Sequence, residues 1–121
     1  MDTSITIISS LLIAFFAFAS SIKILGWQKF IFQTQLEFFI SYGLNREIMF
    51  LVGLIELIGA STLWFQNHPM GLLGALLIFL TSVGAIGFHL RFDTWKDAIP
   101  AIMTGILSGF LISAHPMVAS F

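Results

Sequence analysis

ITIISSLLIAFFAFASSIKIL, residues 5–25, decides how the rest of the chain must be read. Only Ser and Thr interrupt its apolar character before Lys23. Its length matches the ~20 residues that cross a ~30 Å hydrocarbon core, so the segment reads as a membrane helix. Ala17-Phe18-Ala19 has the small-x-small form of a signal-peptidase site. No basic segment precedes the run, however, and it continues past that point, so a retained helix is expected. Composition agrees: of 121 residues, 58% are apolar and 9% charged, against about 25% charged in soluble domains. Lipid must replace the missing charged coat. A net charge of −1 leaves no basic face for counterion release, which argues against a nucleic-acid partner. The chain has no cysteine, which excludes disulfides, iron–sulfur ligation and thiol exchange. A redox role would need a bound cofactor or a partner protein.

Three further spans follow, at about residues 47–65, 70–90 and 98–118, joined by short connections. Backbone polar groups in hydrocarbon must be satisfied within each helix, and short loops make neighbours antiparallel. The expected fold is a single-domain, all-α, integral membrane four-helix bundle. Residues 27–45 are too polar to cross, with Gln28, Lys29, Gln33, Gln35 and Glu37 among aromatic and aliphatic residues. Phe32, Leu36, Phe39 and Ile40 recur at helical spacing, which predicts an interfacial amphipathic helix ending near Gly43 and able to cover what lies beneath. Gly105-x-x-x-Gly109 on the last span, with Gly71, Gly74, Gly84 and Gly87 on the third, offers close helix packing. Lys23, Lys29, Arg46, Arg91 and Lys96 all fall at one end, which places those loops in the cytoplasm and both termini and the His68 turn outside.

Ionisable groups inside a membrane are costly and therefore mark candidate sites. Glu56 is the sharpest. Nine residues beyond Glu47, it lies roughly 13 Å deep and should face the bundle interior. Lys23, with Ser20 one turn away, and His89, with Ser82 two turns away, sit toward the same membrane face, as do Thr104 and Ser108 on the last span. Four helices thus offer polar groups to one layer. Counted from level helix ends, Lys23 and Glu56 differ by about 10 Å along the axis, so a water or a ligand head group is expected to bridge them. Arg91 and Trp95, in a loop with four charged residues, complete the candidate ligand-binding set. His68 and His115 lie toward the opposite face without a third ligand, so haem or metal binding is disfavoured and no metal site is expected. The fourteen phenylalanines read first as lipid-facing packing.

Three local patterns carry a family resemblance. They are FAFASSIKIL at residues 16–25, Tyr42-Gly43-Leu44 followed by Gly53-Leu54-Ile55-Glu56-Leu57-Ile58-Gly59, and Gly87-Phe88-His89-Leu90 with a charged loop and Ile99-Pro100-Ala101. In order and spacing they resemble the DoxX-like family of small four-helix membrane proteins over nearly the whole chain. Ser20 stands where glycine is usual and Ile24 where leucine is usual. Lys23, Glu56 and His89 fall on the family's polar positions. The resemblance implies an accessory subunit of a quinone-linked membrane redox system, without stand-alone catalysis, that binds a quinone or similar lipophilic molecule. A family relative that assists receptor assembly implies the alternative, an assembly factor or chaperone whose polar intramembrane groups and glycine groove engage a partner's transmembrane helix. The bacterial inner membrane is the expected location, with another membrane protein or a second copy as partner. A solute transporter is least favoured, because no broken helices or inverted repeats are visible.

Overall fold

The computed structural model describes residues 3–119. They form six helices: α1 Thr3–Leu25, α2 Lys29–Ser41, α3 Arg46–Thr62, α4 Pro69–Phe92, α5 Ile99–Ala114 and α6 Pro116–Ala119. No strand occurs among the described residues. At 23 and 24 residues, α1 and α4 are long and apolar enough to cross a membrane. The shorter α3 passes the same test only together with α2, from which it is bent by 114°. Large apolar side chains point outward from every long helix, including Leu11, Leu51, Leu80 and Ile106. A water-soluble bundle does not present such a surface. The chain is a helical integral membrane protein.

Each bend has a local cause. At the end of α2, Gly43 takes φ +81°, while the N–H groups of Gly43 and Leu44 donate to the carbonyls of Ile40 and Phe39. This pair of bonds closes the helix in a left-handed turn that glycine adopts without steric cost. Asn45 then caps α3 through its side-chain oxygen, which accepts from the Ile48 N–H at 2.9 Å. α2 therefore lies across the bundle rather than running through it.

The fourth apolar segment is one helix only as far as Ala114. His115 is extended, with φ −66° and ψ 137°, because the ring of Pro116 disfavours helical backbone at the preceding residue. The expected helix over 98–118 is thus α5 plus the short α6. The tripeptide His-Pro-Met occurs at both 68–70 and 115–117, and it does the same work twice. In each copy the His Nδ1 accepts from the Met N–H at 3.1 Å and the proline opens the helix, where its missing N–H leaves no bond unmade. His115 Nε2 donates to the His68 carbonyl at 2.9 Å, tying the two caps together.

In the bundle α1 packs beside α3 and α5, and α4 beside α3 and α5, so α1 and α4 lie diagonally opposite. The apolar core of Leu12, Phe16, Ala60, Leu63, Ala75, Ile78 and Leu111 occupies the half nearer the two His-Pro-Met turns. A Cβ on Gly74 would lie 2.7 Å from the Gly59 carbonyl oxygen, so this close approach of α3 and α4 requires a residue without a side chain. Gly105 and Gly109 face Ser82, Ile86 and Phe79 of α4. Their groove is filled within the chain instead of being offered to another protein. Gly84 and Gly87 have open space where a Cβ would stand, so the close packing expected of them does not occur.

Candidate functional site

The other half of the bundle is hollow. A cavity of about 640 Å³, open on one side, lies among α1, α3, α4 and α5 beneath α2. This volume is in the ~300–1,000 Å³ range of small-molecule sites. Phe15, Phe16, Phe30, Phe38, Phe39, Tyr42 and Phe88 line it. Of the six phenylalanines in this lining, Phe16 is buried and Phe38 and Phe39 are partly buried, whereas Phe15, Phe30 and Phe88 stay largely exposed, as lipid-facing packing predicts. α2 is the roof, contributing Phe30, Ile31, Thr34, Gln35, Phe38 and Phe39. Of the four residues expected to face inward, Phe32, Leu36 and Phe39 are partly buried, but Ile40 is 59% exposed. The helix is rotated so that Ile31, Gln35 and Phe38 take the inner stripe. Arg46 fastens its underside: the guanidinium lies 4.9 Å from the Phe32 ring centre and donates to the Ile24 carbonyl at 2.9 Å.

Lys23 and Glu56 meet directly, with Nζ 3.0 Å from Oε1 and both side chains about nine-tenths buried. No bridging group is needed, contrary to the count from level helix ends. The reason is Gly53. A Cβ there would lie 2.9 Å from Lys23 Cβ, so Lys23 sits level with Gly53 and α3 begins roughly 10 Å further along the axis. The lysine stem then has one helical turn to cover, a distance its four methylenes span. Lys23 turns inward instead of reaching for the head groups. Beyond the ion-pair contact, Glu56 Oε1 has no aligned hydrogen bond, and Gln35 Oε1 in the roof likewise has no hydrogen-bond partner.

Diagonally across, His89 belongs to a cluster that the spacing of polar residues did not reveal. The Tyr42 hydroxyl donates to Asp93 Oδ2 at 2.5 Å and lies 2.9 Å from His89 Nδ1. Nδ1 is also 2.9 Å from the same carboxylate oxygen. The Tyr42 ring stacks on Phe88 with centres 5.0 Å apart, and Phe38 meets the imidazole edge-on at 5.2 Å. Burial, with the Asp93 bond and charge next, pushes the Tyr42 hydroxyl well above the usual phenol range. One signal for Asp93 was present in the sequence, since it follows His89 by four residues and so shares its helix face.

Ser82 and Thr104 join α4 to α5 through a 2.7 Å hydrogen bond and line the cavity. Ser108 is fully buried and donates to the Thr104 carbonyl at 2.7 Å. Ser20 is also fully buried, with its hydroxyl turned to the Ala17 carbonyl of its own helix, outside the cavity wall. Arg91 and Trp95 are exposed and stand away from that wall, Arg91 over the Phe92 ring and Trp95 beside Lys96. Lys23, Glu56, Ser82, His89 and Thr104 are therefore brought together around one space; Ser20, Arg91 and Trp95 are not. The His68 and His115 rings hold helix caps through Nδ1.

The DoxX-like family model matches residues 7–111, which include every one of these cavity-lining groups. The chain belongs to the DoxX-like family. Comparison with curated proteins and with solved structures gives no match. In this DoxX-like chain the three polar positions Lys23, Glu56 and His89 share a single cavity wall system. The residues added by the fold are Tyr42, Asp93, Gly53 and the aromatic lining.

Proposed function

We propose that this DoxX-like protein binds a small, ring-headed lipophilic molecule beneath α2, as an accessory subunit of a quinone-linked redox system in the bacterial inner membrane. The observation that carries the reading is the aromatic-lined cavity with polar groups at opposite walls. Flat rings suit walls of phenylalanine, and a few placed polar groups orient a ligand that apolar contact alone would leave free to turn. Lys23 supplies N–H donors, Glu56 acceptors, and His89 either, according to its protonation. The basic residues gather at the cavity end, which supports a cytoplasmic cavity and termini outside.

The rival reading, an assembly factor, would engage a partner's helix through the polar intramembrane groups and the Gly105-x-x-x-Gly109 groove, and α4 fills the groove. Binding of a short-tailed quinone to the purified protein in nanodiscs, followed by quenching of tryptophan fluorescence, tests the proposal. Saturable binding that is weakened by Glu56→Gln, in a variant that remains folded, is the expected result. No saturable binding by wild type, with a second protein's helix cross-linked into the cavity, would favour the assembly factor.

A further inference from the structure

The hydrogen bonds around His89 fix more than its position. Asp93 Oδ2 faces both the Tyr42 hydroxyl and His89 Nδ1. An ionised carboxylate has no proton to give, so each of those contacts needs one from its partner. Tyrosine has a single hydroxyl proton, and it goes to Asp93. The second must be on Nδ1. In the neutral ring, Nε2 is then a bare acceptor, and it has no hydrogen-bond partner among the described residues. One further acceptor, Gln35 Oε1 in the roof, has no donor, and Glu56 Oε1 in the far wall is met by the Lys23 ammonium alone. Acceptors with capacity to spare thus lie on three different helices around the cavity, with the Lys23 ammonium as a donor among them.

We infer that the cavity selects a ligand whose ring carries a hydroxyl group, and that His89 Nε2, set by Asp93 and Tyr42, receives that hydroxyl. This rests on the small-molecule reading above and sharpens it: of a quinone and its quinol, the quinol is the form that fits. A carbonyl oxygen placed at Nε2 would set acceptor against acceptor and leave both undonated. Lys23 still has N–H groups to offer, so the ligand's other end can be a hydroxyl or a carbonyl. The end at His89 must bring its own proton. Asp93 and Tyr42 are positioning residues here, since they act through the imidazole.

An alkylphenol and its methyl ether differ by that one donor and serve as probes. With wild-type protein in nanodiscs at mildly alkaline pH, the phenol is expected to bind roughly tenfold more tightly than the ether, the scale of one hydrogen bond to a buried partner. In His89→Phe, which keeps a ring of similar size, the ratio should fall to about one while the ether still binds. Equal binding of the two probes by wild type would overturn the inference and leave the cavity reading standing. A phenol preference that survives His89→Phe would also overturn it. Absence of binding by either probe would remove the cavity reading and this inference with it. Nitrogen NMR of the wild-type imidazoles, with His89 assigned by its loss in the variant, reads the proton directly. Protonation of Nδ1 is expected, and a neutral ring protonated at Nε2 would overturn the assignment without any ligand present.

Discussion

The Lys23 ammonium and the Glu56 carboxylate lie 3.0 Å apart between α1 and α3, in the wall of the cavity and nearly out of contact with the surroundings. Buried charges of this kind depend on each other, because removing one leaves the other desolvated and unpaired. Lys23→Met is expected to destabilise the protein by roughly 3–5 kcal/mol, and Lys23→Met combined with Glu56→Leu by distinctly less. Unfolding of the two variants and of Glu56→Leu alone, compared in one detergent, measures the coupling. Additive effects would mean that the pair contributes nothing as a pair.

Gly53 sets the register that makes this contact possible. Since a Cβ there would meet Lys23 Cβ at 2.9 Å, Gly53→Val must push α1 and α3 apart. A cost of roughly 1–3 kcal/mol is expected, typical of overpacking. The variant should also lose the coupling between Lys23 and Glu56, which a double-mutant cycle repeated in the Gly53→Val background detects.

Tyr42 is the chain's single tyrosine, so tyrosinate absorbance reports on it alone. Burial and Asp93 raise its ionisation above the ordinary value of 10.0. The neutral phenol is the form the fold favours. Its stabilising contribution is complete below about pH 10 and is lost as pH rises through the folded-state value. Titration should therefore show no tyrosinate until well above pH 10 in the folded protein, and Asp93→Asn should bring the transition down toward the ordinary range. Ionisation of the wild type at an ordinary value would show that the Tyr42–Asp93 contact does not form.

Cysteines introduced at Gln66 and at Lys96 report the topology. Gln66 lies in the α3–α4 turn and Lys96 in the α4–α5 loop, with the spanning helix α4 between them. Labelling from opposite sides is expected, with Lys96 on the cytoplasmic side. Labelling of both from one side would rule out passage of α4 through the membrane.

The helices could be read from the residues because a bilayer demands long apolar runs, and polar side chains within such runs stand out. Lys23, Glu56, Ser82, His89 and Thr104 were found in that way. Tyr42 and Asp93 lie where helices emerge, among residues whose polarity is ordinary. Asp93 meets His89 locally, four residues on, but Tyr42 reaches it only through tertiary folding, from 47 residues away. Phenylalanine is equally at home against lipid or in a cavity, so composition could not divide the six that line the cavity from the rest. The 10 Å count between Lys23 and Glu56 failed for a different reason. It assumed level helix ends, and the stagger between α1 and α3 depends on Gly53, whose role appears only when the two backbones are seen side by side.

Cohesion and hollowness are segregated along the membrane normal. The apolar core and the two linked His-Pro-Met caps occupy one half of the bundle, and the cavity with its roof occupies the other. Most substitutions in the cavity walls therefore leave untouched the contacts that hold the helices together at the far end. Such a scaffold can exchange one guest for another over evolutionary time by changing a few wall residues, with the anchored half unchanged.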